Sequence, residues 1–124
     1  MDKILITLFT LLISLIGIQE ADAHAQLTSS FPGKNIIVAL MPPLIWLEFD
    51  GDLLQFEDQE VNKITVTNSK NLRVDTGGTI VGGSRISTRL KSGLKAGKYV
   101  ISYRIVSEDG HPVQGKISFT YKPK

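Results

Sequence analysis

The chain has no cysteine, two histidines, two methionines and one tryptophan in 124 residues. Without Cys there is no disulfide to staple a small exported domain, no thiolate for a metal and no thiol redox chemistry. No stretch of the body shows a long apolar repeat of period 3.6, so amphipathic helices are not expected. Aromatic residues do not interleave with the cations. Arg85, Arg89, Lys91, Lys95 and Lys98 fall about a hairpin and its turns, the pattern of a solvated surface rather than a nucleic-acid groove. "DTGGTIVGGSR" (Asp75 to Arg85) is Gly-rich but lacks the Gly-Lys-Ser/Thr ending of a phosphate loop, and reads as two Gly-Gly turns around a short strand.

What is present begins with a leader. Ile4 to Ile18, "ILITLFTLLISLIGI", is an almost unbroken apolar run, followed by polar Gln19 and Glu20 and by Ala21-Asp22-Ala23. The last three fit the small-x-small rule of a secretory cleavage site. A retained anchor fits less well, because the run is shorter than the ~20 residues that cross a bilayer. No Cys follows to accept a lipid. The reading is a signal peptide over residues 1–23 and a single mature domain over 24–124, exported, soluble and expected as a monomer. Removing the leader leaves thirteen Lys and Arg against nine Asp and Glu, a net charge of +4.

The body reads as strands and turns. Pro43–Phe49, Val61–Asn68, Arg85–Leu90, Gly97–Ser107 and Gly115–Lys122 are rich in β-branched and aromatic residues and are bounded by Gly, Pro, Asp or Asn. Ile117, Phe119 and Tyr121 share one face, and Tyr99, Ile101, Tyr103 and Ile105 form a matching set on the strand before. Trp46 lies inside an apolar strand and is expected in the core. The fold class is all-β: a two-sheet sandwich or small Greek-key barrel.

Both histidines stand in telling places. His24 becomes residue one after cleavage, and His111 lies two residues after Asp109 in "SEDGHPVQG" (Ser107 to Gly115). An α-amine has a pKa of ~8, far below that of a lysine, so a metal can displace its proton near neutral pH. An N-terminal His then chelates through its amine and its ring Nδ1. The ring of His111 adds a third nitrogen, and Asp109 or water a fourth ligand. That set suits Cu(II), which prefers a tetragonal array and leads the divalent affinity order, better than Zn(II), which prefers a tetrahedron. Alone, "EDGHP" is an ordinary turn. Together the two histidines make a site.

His24-Ala25-Gln26-Leu27 with Ser29-Ser30-Phe31-Pro32, and "LKAGKYVISYRIVSEDGHPVQGKISFTY" (Leu94 to Tyr121), resemble the two ends of the periplasmic copper resistance CopC family. The resemblance implies a Greek-key β-barrel of cupredoxin-like or immunoglobulin-like type and a periplasmic, non-enzymatic Cu(II) carrier, one ion per chain. It also implies a metal site at the amine and ring of His24, at Asp109 and at His111, and an inner-membrane copper transporter of the CopD type as partner. Some members also bind Cu(I) through a Met-rich stretch; the mature chain here has only Met41. Many members carry Phe-Ser-Glu where this chain has Phe49-Asp50-Gly51-Asp52, so Asp50 or Asp52 stands either in support of the metal or in an acidic turn. The alternatives are a histidine-brace monooxygenase and a metal-free exported interaction module.

Overall fold

A computed structural model of the chain describes residues 25–124. The expected leader and His24 lie outside the described residues. Eight strands follow one another: β1 (Leu27–Phe31), β2 (Ile37–Val38), β3 (Leu44–Phe49), β4 (Lys63–Thr67), β5 (Ile80–Gly82), β6 (Arg85–Arg89), β7 (Gly97–Val106) and β8 (Pro112–Tyr121). They form two four-stranded sheets, ordered β1-β3-β6-β5 and β2-β8-β7-β4. Among the described residues there is no helix, and so none long and apolar enough to cross a membrane.

Period-two alternation builds the interior between the sheets. Tyr99, Ile101 and Ile105 of β7 and Ile117 and Phe119 of β8 are buried, with Tyr103 and Tyr121 packed against them. From the other sheet come Ile45, Leu47, Phe49 and Ile86. β7 and β8 pair along their full length, from Gly97↔Tyr121 to Val106↔Pro112, so their connecting turn, residues 107–111, projects from one end of the sandwich. The five expected strands are all present. The Gly-rich stretch holds short β5 between two turns, as expected. β1 and the two-residue β2 were not expected as strands.

Trp46 corrects the expectation of a core tryptophan. On β3 the inward positions are Ile45, Leu47 and Phe49, so parity sends Trp46 outward. There it stacks on Phe31 at 6.2 Å between ring centroids, with the Arg85 guanidinium 3.9 Å from the ring centre. An outward face that is itself apolar, Leu44 and Trp46, hid the alternation.

Candidate metal centre

The turn at residues 107–111 is tied by its own backbone and side chains. Gly110 N–H donates to the Ser107 carbonyl at 2.8 Å, and Ser107 N–H to the His111 carbonyl at 3.1 Å. Gly110 has φ of 86°, a left-handed conformation that glycine takes without steric cost. Buried Ser107 donates its hydroxyl proton to Asp109 Oδ1 in a short bond. The same oxygen accepts the His111 backbone N–H at 3.2 Å, while Asp109 Oδ2 lies 3.0 Å from His111 Nδ1.

These bonds set the protonation state. The Ser107 hydroxyl first, then the His111 ring and backbone N–H, hold the Asp109 carboxyl far below the usual carboxylate range, against a smaller opposing effect of desolvation. Asp109 is therefore an anion at any working pH. A carboxylate at Nδ1 favours the ring tautomer protonated there, which presents the Nε2 lone pair, the orientation that a carboxylate gives to a metal-binding histidine. The His111 side chain is 60% exposed and that of Asp109 30%, so the donors are open to solvent. Imidazole nitrogen and carboxylate oxygen without sulfur suit a divalent ion such as Cu(II) rather than Cu(I).

The structure thus brings together two of the three expected ligands. Among the described residues no group of three or more His, Cys, Asp or Glu side chains is placed to hold an ion. His24 lies outside them, but its neighbours are firmly placed. Ala25 is 5% exposed and belongs to the core. Gln26 N–H donates to Asp50 Oδ1 at 2.6 Å, and Asp50 N–H returns a bond to the Gln26 carbonyl at 2.9 Å. Three residues after Asp50, Leu53 bridges Ser107, and Leu54 N–H bonds the Val106 carbonyl at 2.8 Å. The segment 50–54 therefore spans from the start of the described chain to the candidate turn. Of the two acids weighed in the sequence, Asp50 clasps the entering strand, and Asp52 Oδ1 lies beside Gly83, 3.5 Å from where a Cβ there would sit. The buried hydroxyl of Ser107 was missed, although Ser-x-Asp at a strand end is a legible local hydrogen-bonding pattern.

Comparison with known proteins identifies the family. The CopC domain model matches residues 27–122. The copper transport protein CutJ of Bacillus subtilis is 33% identical over 101 residues, an alignment that takes in 79% of this chain and 18% of CutJ. The chain thus spans less than a fifth of that relative. Among solved structures, CopC from Methylosinus trichosporium OB3b superposes with a TM-score of 0.69 at 28% identity, over 81% of this chain and 95% of that one. PcoC, a methionine-rich copper resistance protein from Escherichia coli, gives 0.65 at 29% identity, over 81% and 100%. A two-sheet fold with an Asp-Gly-His turn at its end, matched by a family model over residues 27–122, establishes that the chain belongs to the CopC domain family.

Proposed function

We propose that the chain is exported to the periplasm, cleaved after Ala23, and then binds one Cu(II) ion through the amine and ring of His24, the ring of His111 and Asp109. It sequesters or delivers that copper without turning over a substrate. The observation that carries the reading is the placement of the turn. Asp109 and His111 are preorganised donors, and the 50–54 segment links them to buried Ala25, the residue after His24. Copper supplies the charge that would draw the amine, rings and carboxylate together. The chain's part is to hold the His111 ring, keep Asp109 ionised and fix the entry of the first strand.

Support also comes from what this site omits. Met41, the one methionine of the proposed mature chain, is half-buried against the core, whereas PcoC is methionine rich. The bound state is therefore Cu(II) alone. A chain resembling this one forms part of CutJ, a copper transport protein, which favours a CopD-type membrane transporter as the partner of a monomeric carrier.

Electron paramagnetic resonance of one equivalent of Cu(II) on the secreted protein, with its N-terminus read by mass spectrometry, tests the reading. The expected result is a tetragonal three-nitrogen signal on a chain starting at His24. A spectrum of aqueous copper on that same chain would refute the site.

A further inference from the structure

The outer face of the β2-β8-β7-β4 sheet carries an unusual charge pattern. β4, β7 and β8 contain Lys63, Lys98, Arg104 and Lys116 and no Asp or Glu. Register places Lys63, Arg104 and Gln114 in one cross-strand row and Thr65, Ser102 and Lys116 in the next. Lys63 and Arg104 are thus like charges on directly opposed residues, an arrangement that costs stability in a sheet. Among the described residues no carboxylate lies within ion-pair distance of either. Between them is a shallow depression of about 180 Å³, lined by Lys63, Thr65, Ser102, Arg104 and Gln114 together with Tyr103. Cations here alternate with hydroxyl and amide donors, as recognition of carboxylates requires.

The position matters as much as the charge. The Arg104↔Gln114 pair is two pairs from Val106↔Pro112, which closes the turn bearing Asp109 and His111. Two residues of strand are about 7 Å. We propose that this face, around Lys63, Arg104 and Lys116, is the docking surface for a carboxylate-rich face of the protein with which the chain exchanges copper. The proposal rests on the copper-exchange reading for the partner's role, but the surface itself does not depend on it. A protein fits better than an anionic bilayer, because Tyr103, the ring at the depression, is packed against the core and Phe49, and Trp46 and Phe31 are on the opposite face. A second copy fits poorly too. The chain's own acidic loop, with Glu57, Asp58 and Glu60, would dock head to tail and leave an open-ended contact.

The test uses ¹⁵N-labelled processed protein and a hexaglutamate peptide at low salt, alongside phosphatidylglycerol vesicles and a parallel Cu(II) titration. Peptide-induced amide shifts should centre on Lys63, Arg104, Gln114 and Lys116 and fade with added salt. The double reversal Lys63→Glu/Arg104→Glu should bind the peptide about tenfold more weakly while keeping wild-type Cu(II) affinity and thermal stability. If that variant fails to fold, Lys116→Glu gives the same readout from the neighbouring row. Shifts centred on Lys91 and Lys95, or unchanged affinity in the reversed variant, would overturn the proposal. Vesicle binding without peptide binding would assign the face to a membrane, and a concentration-dependent mass would assign it to self-association. Loss of Cu(II) binding with intact peptide mapping would sink the copper reading alone.

Discussion

Ser107, Asp109 and His111 form a relay in which a buried hydroxyl fixes a carboxylate and the carboxylate fixes a ring. Removing the ring removes a donor from an exposed turn without touching the core. His111→Ala should therefore weaken Cu(II) binding on the order of a hundredfold or more while thermal unfolding of the apo protein hardly moves, measured by competitive chelator titration and circular dichroism. Ser107→Ala acts one step back. It removes the largest contribution to the depressed Asp109 pKa, so the carboxyl should titrate closer to the ordinary range, read by ¹³C NMR of Asp109 across an acid series. At this scale the sequence was informative about chemistry and silent about geometry. Asp109 and His111 stand out because a chain with two histidines places one beside a carboxylate. Nothing in a linear string told whether Asp50 faces the metal or, as found, the backbone of Gln26.

Among the elements, the loop between β4 and β6 is closed by a buried acid. The fully buried Asp75 side chain accepts Arg73 Nε at 2.8 Å and Nη2 at 2.6 Å, Val66 N–H at 2.9 Å and Gly77 N–H at 3.1 Å. Burial works to raise its pKa, but the Arg73 guanidinium and the two backbone donors outweigh it, and the carboxyl ends below its ordinary value. A carboxyl depressed in the folded state stabilises fully above its unfolded pKa of ~3.9 and loses that contribution as pH falls through the folded value. Acid unfolding below about pH 4 should accordingly be shallower in Asp75→Asn than in the wild type, even though the variant is less stable at neutral pH. Arg73 is half exposed, which limits its worth. Arg73→Ala should cost about 1–3 kcal/mol in urea denaturation, chiefly by leaving Asp75 a buried, underpaired charge. On β8, a Cβ added to Gly115 would run into the Tyr103 hydroxyl and meet its ring carbons at 2.5 and 2.9 Å. Gly115→Val must expel that ring, and about 1–3 kcal/mol of destabilisation with loss of the Phe49–Tyr103 edge contact is the expected outcome. The strands were legible wherever one face is apolar and the other polar, as in β7 and β8. β2 escaped because two residues make no period, and β1 because its exposed positions, Thr28 and Ser29, carry no alternation strong enough to read.

For the molecule as a whole, the sandwich separates its surfaces by chemistry. One outer face bears a largely apolar row, in which Phe31, Trp46 and Ile80 are aligned across β1, β3 and β5 with buried Ser87 of β6 between the last two; Phe31 is 46% and Ile80 53% exposed. The other outer face is basic, and the candidate metal turn lies at one end between them. Net charge and composition gave a mildly cationic balance, but strand order sorts the residues onto faces, and strand order is fixed by long-range pairing that no local pattern encodes. Metal binding should be visible globally. A ligand held only by the native state stabilises by about 2.7 kcal/mol at one hundred times its Kd, so differential scanning calorimetry should show a rise in Tm of several degrees with Cu(II). A version retaining residues 1–23, or one extra residue before His24, should show a much smaller rise, because its amine is displaced or absent. An equal rise would count against the N-terminal chelate.

Ala25 in the core and Gln26 clasped by Asp50 also bear on how fast copper leaves. If His24 is a ligand, its amine is attached to a strand that cannot swing away until the Asp50 bonds break and Ala25 leaves its pocket, whereas the His111 ring sits on an exposed turn. Both ends of such a chelate would be held, the His111 ring by Asp109 and the entering chain by Asp50. A recipient protein that competed for the backbone of Gln26 would loosen one of these two holds.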